Sequence, residues 1–276
     1  MTTDTQSRAR RAYRWLAESG YRTAHQRRRM LERELARLSD IPRRTAATTS
    51  LLGRPLTLVD AASFVAQYRT IIHEEQYRFV ATSPSPIIVD CGAGIGLSTI
   101  YWKSLHPHSL VTAFEPDPNA FAALVRNVES FGLSGVTVLD CAVWVTDGVM
   151  SFWTEGADAG RLLPRPMDLV PQTTVRTVRL REYLKGHVDL LKLDIEGAEV
   201  EVLRDCEDLL PSVQNLIVEY HSFSGVPQRL DEVFRILTGA GFRLHVTPEF
   251  TSSQPLVDRK NHLGMDLQLN IFGFRS

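Results

Sequence analysis

The run Ile87-Ile88-Val89-Asp90-Cys91-Gly92-Ala93-Gly94-Ile95-Gly96 constrains the fold of this 276-residue chain more than any other stretch. An apolar, β-rich segment leads into three glycines at alternate positions, and a helix is expected to begin at Leu97 or Ser98. Glycine lets the backbone turn tightly and approach a ligand where any Cβ would clash. The helix start behind the turn offers free backbone amides. Such a strand–turn–helix unit belongs at the carboxyl edge of an open parallel sheet, where sheets of this kind bind ligands. Asp90, at the strand end, is placed to order the loop or to accept a hydrogen bond from a cationic amine.

From Pro86 onward, short β-rich runs alternate with amphipathic helical stretches, a pattern that predicts βαβ units and a mostly parallel sheet. Seven strands are expected: Ile87–Asp90, Val111–Glu115, Val136–Leu139, Val188–Asp194, Leu216–Tyr220, Phe242–Val246 and Leu267–Phe274. Helices are expected at Asn119–Phe131 and Glu196–Leu203. Upstream, a helical region is read over 8–39, then a short extended piece at Leu56–Val59. A further helix follows, with Asp60 as N-cap and Phe64, Tyr68, Ile71 and Ile72 on its buried face. Glu155–Thr173, rich in Gly, Pro and Asp and without period, reads as a substrate-covering loop. The division is a basic helical arm over 1–50 and a ligand-binding domain over 51–276.

Glu115 ends the second strand, nineteen residues past Gly96, in Ala113-Phe114-Glu115-Pro116-Asp117. A carboxylate there accepts the ribose hydroxyls of a nucleoside-containing cofactor. A dinucleotide fingerprint would read GxGxxG, with its third glycine at position 97, but that residue is Leu97. The GxGxG spacing suits a cofactor without a pyrophosphate, and S-adenosylmethionine fits: ribose on Glu115, amino-acid tail over Gly92, Gly94 and Gly96, adenine farther along the sheet edge. Asp140, Cys141 and Ala142, after the third strand, are candidates to read the adenine. Asp90 and Asp194 complete the expected cofactor set.

Lys192-Leu193-Asp194-Ile195-Glu196-Gly197-Ala198-Glu199 leaves a buried strand with charges at its end. Alternation along a strand would put Lys192, Asp194 and Glu196 on one face; a purely structural ion pair between Lys192 and either acid is the plainer reading. A neighbouring strand would bring Glu219, Tyr220 and His221 to the same edge. This run resembles the K-x-D-x-E-G-x-E motif of FkbM-family methyltransferases. Thr177-Val178-Arg179-Leu180, Tyr183-Leu184, Glu115-Pro116-Asp117 and Asn270-Ile271-Phe272 are similar to that family as well, so the resemblance spans about residues 64–275. It implies a Rossmann-like class I methyltransferase sheet with an N-terminal helical extension, and O-methylation of a sugar, glycoconjugate or polyketide-type hydroxyl.

The expected roles follow. His221 is the first candidate base, because an unperturbed imidazole titrates near pH 6.5; Asp194 is the second, with Lys192 beside it. Glu196, Glu219 and Tyr77 are expected to meet the acceptor. Asp194, Glu196, Glu219 and His221 are also oxygen-rich enough for Mg²⁺, although a metal is not favoured. The alternatives are a nicotinamide-dependent oxidoreductase, disfavoured by Leu97, and a nucleic-acid-modifying methyltransferase.

The second alternative draws on charge. Residues 1–44 carry twelve Arg against five acids, a net +7 in a chain whose total is −1. Such an arm fits nucleic acid, anionic lipid or an acidic partner. No aromatic residues alternate with its arginines as a single-strand platform requires, and Asp194-Ile195-Glu196-Gly197 is not the [ND]-P-P-[YF] turn of base N-methylation, so nucleic acid is not expected. Leu31, Leu35 and Leu38 keep helical spacing and are expected to dock on the body or on a second copy, as in a homodimer. With 43% hydrophobic and 23% charged residues, no apolar run of membrane-spanning length, no leader-like N-terminus and three cysteines without a CxxC pair, a reduced cytoplasmic protein is expected.

Overall fold

The computed structural model describes residues 24–154, 160–163 and 173–275. Helix α1 (Ala24–Ser39) is followed by a two-stranded ribbon, β1 (Ala47–Thr49) with β2 (Leu56–Leu58), and by α2 (Ala61–Gln67), which runs on into a π-helical turn, Tyr68–His73. Asp60 caps α2 by accepting from the Ser63 amide at 2.9 Å, and Phe64, Tyr68, Ile71 and Ile72 are all buried as expected. The first part of the predicted 8–39 helical region lies outside the described residues. Leu38 is fully buried, and Leu31 and Leu35 pack beside it against the same apolar cluster as Leu56, Phe64 and Trp102. The apolar face of α1 is therefore used on the chain's own body.

Then come β3 (Ile87–Cys91), α3 (Leu97–Leu105), β4 (Leu110–Phe114), α4 (Pro118–Phe131), β5 (Val136–Leu139), β6 (Ala142–Trp144), β7 (Gly148–Thr154), β8 (Gly160–Leu163), β9 (Thr173–Arg179), β10 (Val188–Leu193), α5 (Glu199–Asp205), β11 (Val213–Phe223), α6 (Leu230–Gly239), β12 (Arg243–Phe250) and β13 (Met265–Phe274). Seven strands form the central sheet in the order β12-β13-β11-β10-β3-β4-β5. Neighbours from β11 to β5 pair in parallel, while β13 runs antiparallel to both β11 and β12. This is the Rossmann-like class I arrangement, and each of its strands overlaps one expected from the sequence. Strand β10 is buried at every position, as a central strand covered on both faces must be. Among the described residues no helix is long and apolar enough to cross a membrane.

The main departure is a second sheet, β6-β9-β7-β8. Part of the stretch expected to be an open loop is strand β8, paired antiparallel with β7. Gly160 sits so close to Phe152 that an added Cβ would lie 2.4 Å from its ring. Residues 155–159 and 164–172 of that stretch lie outside the described set. The sheet has its own small core, Ala142, Phe152 and Val175 with Leu162 against them.

Candidate active site

The sequence order places the carboxyl ends of β3, β4, β10 and β11 side by side. Turns at those ends surround a cavity of about 340 Å³, at the small end of the ligand-pocket range. Each glycine of the first turn has a different task. An added Cβ on Gly92, at φ +82°, would lie 1.8 Å from the Asp194 carbonyl oxygen, so Gly92 is what lets β3 and β10 close together. Gly96, the α3 cap at φ +85°, would drive a Cβ into Leu124 at 2.6 Å and does not line the cavity. Gly94, at φ +55°, has nothing within 4 Å of its would-be Cβ and does line the cavity. It is the glycine that leaves room for a ligand.

Glu115 follows β4 directly and is almost fully buried on the cavity wall. Its Oε2 accepts from the Gly94 amide at 2.7 Å and its Oε1 from the Asp117 amide at 2.8 Å. Burial pushes its carboxyl up to about 7, against the opposing pull of those two amides. Asp117 caps α4, accepting from Asn119 and Ala120, so the Glu-Pro-Asp run divides into a ligand group and a helix cap. Asp90 is fully buried and outside the cavity lining; its Oδ2 accepts from Ser98 at 2.7 Å and Thr99 at 3.1 Å. Of the two tasks expected for Asp90, the structure shows the ordering of the loop. Cys141 and Ala142 line the cavity, joined by Phe152 and Leu162 from the second sheet, whereas Asp140 is exposed and outside the lining.

Lys192 is the buried cation between the two halves of the cavity. Its Nζ donates to the Gly92 carbonyl at 2.8 Å and to Asp194 Oδ2 at 3.1 Å, and stands 3.6 Å from Asp90 Oδ1. Burial works to lower its pKa, but Asp194 and Asp90 prevail and hold it well above the usual lysine range. Lys192, Asp194 and Glu196 do converge on the cavity, but alternation along a strand is not the reason. β10 ends at Leu193, and Glu196 turns in by adopting φ +57°. A non-glycine residue in that left-handed region is strained by about 1–2 kcal/mol, the kind of cost that clusters at functional sites.

His221 lies within β11, with Glu219 two residues before it on the same face. Its side chain is fully buried. Nδ1 bonds Glu199 Oε1 at 2.9 Å, and Nε2 faces Glu196 at 3.5 Å, Glu219 at 3.8 Å and Asp194 at 4.0 Å. Burial alone would depress this imidazole, yet Glu196, Glu199 and Glu219 together raise it well above the usual histidine range. The expectation that His221 titrates near neutrality therefore does not hold, because its neighbours stabilise the cation. Glu219 is pushed up to about 8, by burial first and then by Asp194. Tyr77 lines the same cavity with its ring stacked on Trp102, centroids 6.0 Å apart.

Residues 90–244, more than half of the chain, match the Methyltransferase FkbM domain. The chain belongs to the FkbM methyltransferase family. It is 29% identical over 200 residues to methyltransferase sdnD of Sordaria araneosa, covering 59% of this chain and 77% of that one. It is 28% identical over 227 residues to the 31-O-demethyl-FK506 methyltransferase FkbM of Streptomyces tacrolimicus, covering 69% and 86%. The solved structure of methyltransferase FkbM from Methylobacillus flagellatus KT aligns with a TM-score of 0.48 at 16% identity, over 90% of this chain and 59% of that one.

This FkbM-family chain is thus an S-adenosylmethionine-dependent methyltransferase, and the nicotinamide reading falls away. The cavity suits that cofactor: Gly94 leaves space where a side chain would stand, and Glu115 presents a buried carboxylate beside it. Several lining residues went unread in the sequence, and Asn270 had been read only as part of the closing family-like run. Gln268 and Asn270 project from β13, and Glu249 from β12. Their signal was present: Asp266, Gln268 and Asn270 alternate with Leu267, Leu269 and Ile271, a polar face on an otherwise apolar strand. Glu199 had been read only as part of a motif. It is buried and accepts from the Ile195 and Gly197 amides at 3.2 and 3.0 Å as well as bonding His221.

Proposed function

We propose that this methyltransferase acts on a hydroxyl oxygen of a sugar, glycoconjugate or polyketide-type small molecule. One observation carries the reading: the cavity runs unbroken from Gly94 and Glu115 to a wall of hydrogen-bonding groups, Asp194, Glu196, Glu219, Gln268 and Asn270. That wall suits a hydroxylated acceptor. The Streptomyces tacrolimicus relative is named for methylating 31-O-demethyl-FK506, which supports transfer to an oxygen of a small molecule.

On this reading Glu115 accepts the ribose hydroxyls, Gly94 and Gly92 line the amino-acid tail, and Cys141 and Ala142 lie along the adenine. Bound there, S-adenosylmethionine supplies an electrophilic methyl group. The chain's own residues position the acceptor and take its proton. Lys192 holds one oxygen of Asp194 and leaves the other facing the cluster. Glu199 fixes the His221 ring through Nδ1; the ring is fully buried and outside the cavity lining, against the Asp194 and Glu196 carboxylates that line the place where the acceptor hydroxyl enters. A positioned proton acceptor contributes roughly 10²–10⁴-fold, and orientation is worth about 7–11 kcal/mol more.

The test is a panel of glycosides, macrolactones and short RNA and DNA oligonucleotides incubated with the full chain and cofactor, followed by mass spectrometry with fragmentation. Methyl transfer to an oxygen of a small acceptor supports the proposal. Transfer only to nucleic acid, or to nitrogen or carbon, overturns it.

A further inference from the structure

Around His221 Nε2 the geometry is unusual for an ordinary hydrogen-bonded histidine. Three carboxylates face that one nitrogen, at 3.5 Å from Glu196, 3.8 Å from Glu219 and 4.0 Å from Asp194. None lies within the roughly 2.7–3.2 Å of a hydrogen bond. A cation about 2.0–2.2 Å from each ligand atom holds those atoms roughly 3–4 Å apart from one another. Gln268 Nε2 stands 3.4 Å from the same nitrogen and donates to Glu219 Oε1, so the carboxylates are not bonded to the ring but gathered around a shared centre that the Gln268 amide borders and from which it would turn aside for an ion. One ligand atom each from Asp194, Glu219 and His221 lies within 4.8 Å of the others, so small side-chain torsions close the set.

The supporting shell agrees. A metal-bound histidine ordinarily gives its other ring N–H to a carboxylate, which fixes the ring. Here Nδ1 bonds buried Glu199 at 2.9 Å. Asp194 has its second oxygen held by Lys192, and the backbone of Glu196 is strained so that its side chain faces the same centre. A separate observation points to a ligand at this end of the cavity. Asn270, cross-strand partner of Glu219, is buried and lines the cavity, yet its Oδ1 has no hydrogen-bond partner. A water or hydroxyl delivered to that wall would satisfy it.

We infer that Asp194, Glu219 and His221 form a divalent-cation site at the acceptor end of the cavity. One imidazole with two carboxylates suits Mn²⁺, which accepts both nitrogen and oxygen ligands, better than an all-oxygen ion such as Ca²⁺. His221 gives up its Nε2 proton to solvent on binding and keeps the Nδ1 proton on Glu199. The cation's task rests on the O-methylation reading: it receives the acceptor hydroxyl and lowers its pKa, with the Glu196 carboxylate alongside to take the proton.

Binding of the ion is tested without turnover. The full chain, stripped with a chelator and dialysed, is titrated with Mn²⁺ while electron paramagnetic resonance follows the free ion, and S-adenosylhomocysteine binding is measured in parallel. One bound Mn²⁺ per chain is expected, weakened tenfold or more in Glu219→Gln and His221→Gln, with S-adenosylhomocysteine binding retained in both. Two variants guard against one that fails to fold, and circular dichroism checks each. No bound Mn²⁺ in the wild type, or binding unchanged in both folded variants, overturns the site. Loss of S-adenosylhomocysteine binding in the wild type instead strikes the functional reading and leaves the ion result to stand on its own.

Discussion

Glu115→Gln isolates the group on which the proposed cofactor grip depends most. The wild-type carboxylate uses one oxygen on the Gly94 amide and the other on the Asp117 amide, at 2.7 and 2.8 Å, and is 7% exposed. Glutamine keeps the shape but turns one of those oxygens into an NH₂ that faces an amide donor. It also removes the charge that strengthens bonds to ribose hydroxyls. Hydrogen bonds to charged groups contribute about 1.5–3 kcal/mol, so S-adenosylhomocysteine should bind roughly 10- to 150-fold more weakly.

The same carboxyl gives the wild type a pH signature. With burial holding it up to about 7, its binding-competent ionised fraction climbs from roughly one-tenth at pH 6 to nine-tenths at pH 8, and the apparent Kd should fall about tenfold over that range. The sign for stability is opposite. The folded-state pKa lies above the unfolded one near 4.5, so the folded chain holds a proton that the unfolded chain releases. Glu115 therefore contributes stability below pH 4.5 that is lost as pH rises to 7, an amount of about 3 kcal/mol. Isothermal titration calorimetry with S-adenosylhomocysteine at pH 6, 7 and 8 reads the binding limb directly. A wild-type Kd independent of pH, or a glutamine variant with unchanged affinity and slope, would refute the reasoning.

Four further substitutions separate the roles argued above. Gly92→Ala, which forces a Cβ against the Asp194 carbonyl oxygen at positive φ, should cost about 3–5 kcal/mol and lower Tm by roughly 6–15 °C in differential scanning calorimetry. Gly94→Ala meets nothing, so it should cost only about 1–2 kcal/mol of backbone strain and weaken S-adenosylhomocysteine binding instead; a larger Tm loss than Gly92→Ala would contradict this division. Glu199→Gln breaks a buried pair with His221, worth about 3–5 kcal/mol. As Glu199 is a positioning residue, kcat should drop while KM for S-adenosylmethionine holds, and steady-state kinetics on the folded variant decides. Phe152→Ala empties the small core of the second sheet at about 3–5 kcal/mol, and a melt that leaves Tm unmoved would show that sheet to be decoupled from the body.

The central sheet was legible because each of its strands is announced locally: the period-2 or continuous apolar runs and the glycine turn are properties of contiguous residues. Glu115 was legible for the same reason, since a strand end beside a glycine turn fixes where its carboxylate lies. Two things were not. The second sheet depends on pairing β6 and β7 with β9 across the Gly- and Pro-rich stretch, with β8 added antiparallel to β7; its Gly160 and the surrounding prolines read as loop chemistry, and it is the pairing with β7 and the packing of Phe152 on Gly160 that make a strand there. The character of His221 was equally hidden. Sequence offers a histidine near two acids, and the default inference is a group titrating near neutrality. What overrides it is the meeting of Glu196, carried on a left-handed turn, and Glu199, carried on α5, with a ring on β11. Those residues come from two segments, and the strained turn that aims Glu196 follows no periodicity. Residue type alone therefore says little about this ring's charge, which the carboxylates gathered around it in three dimensions push toward the protonated form.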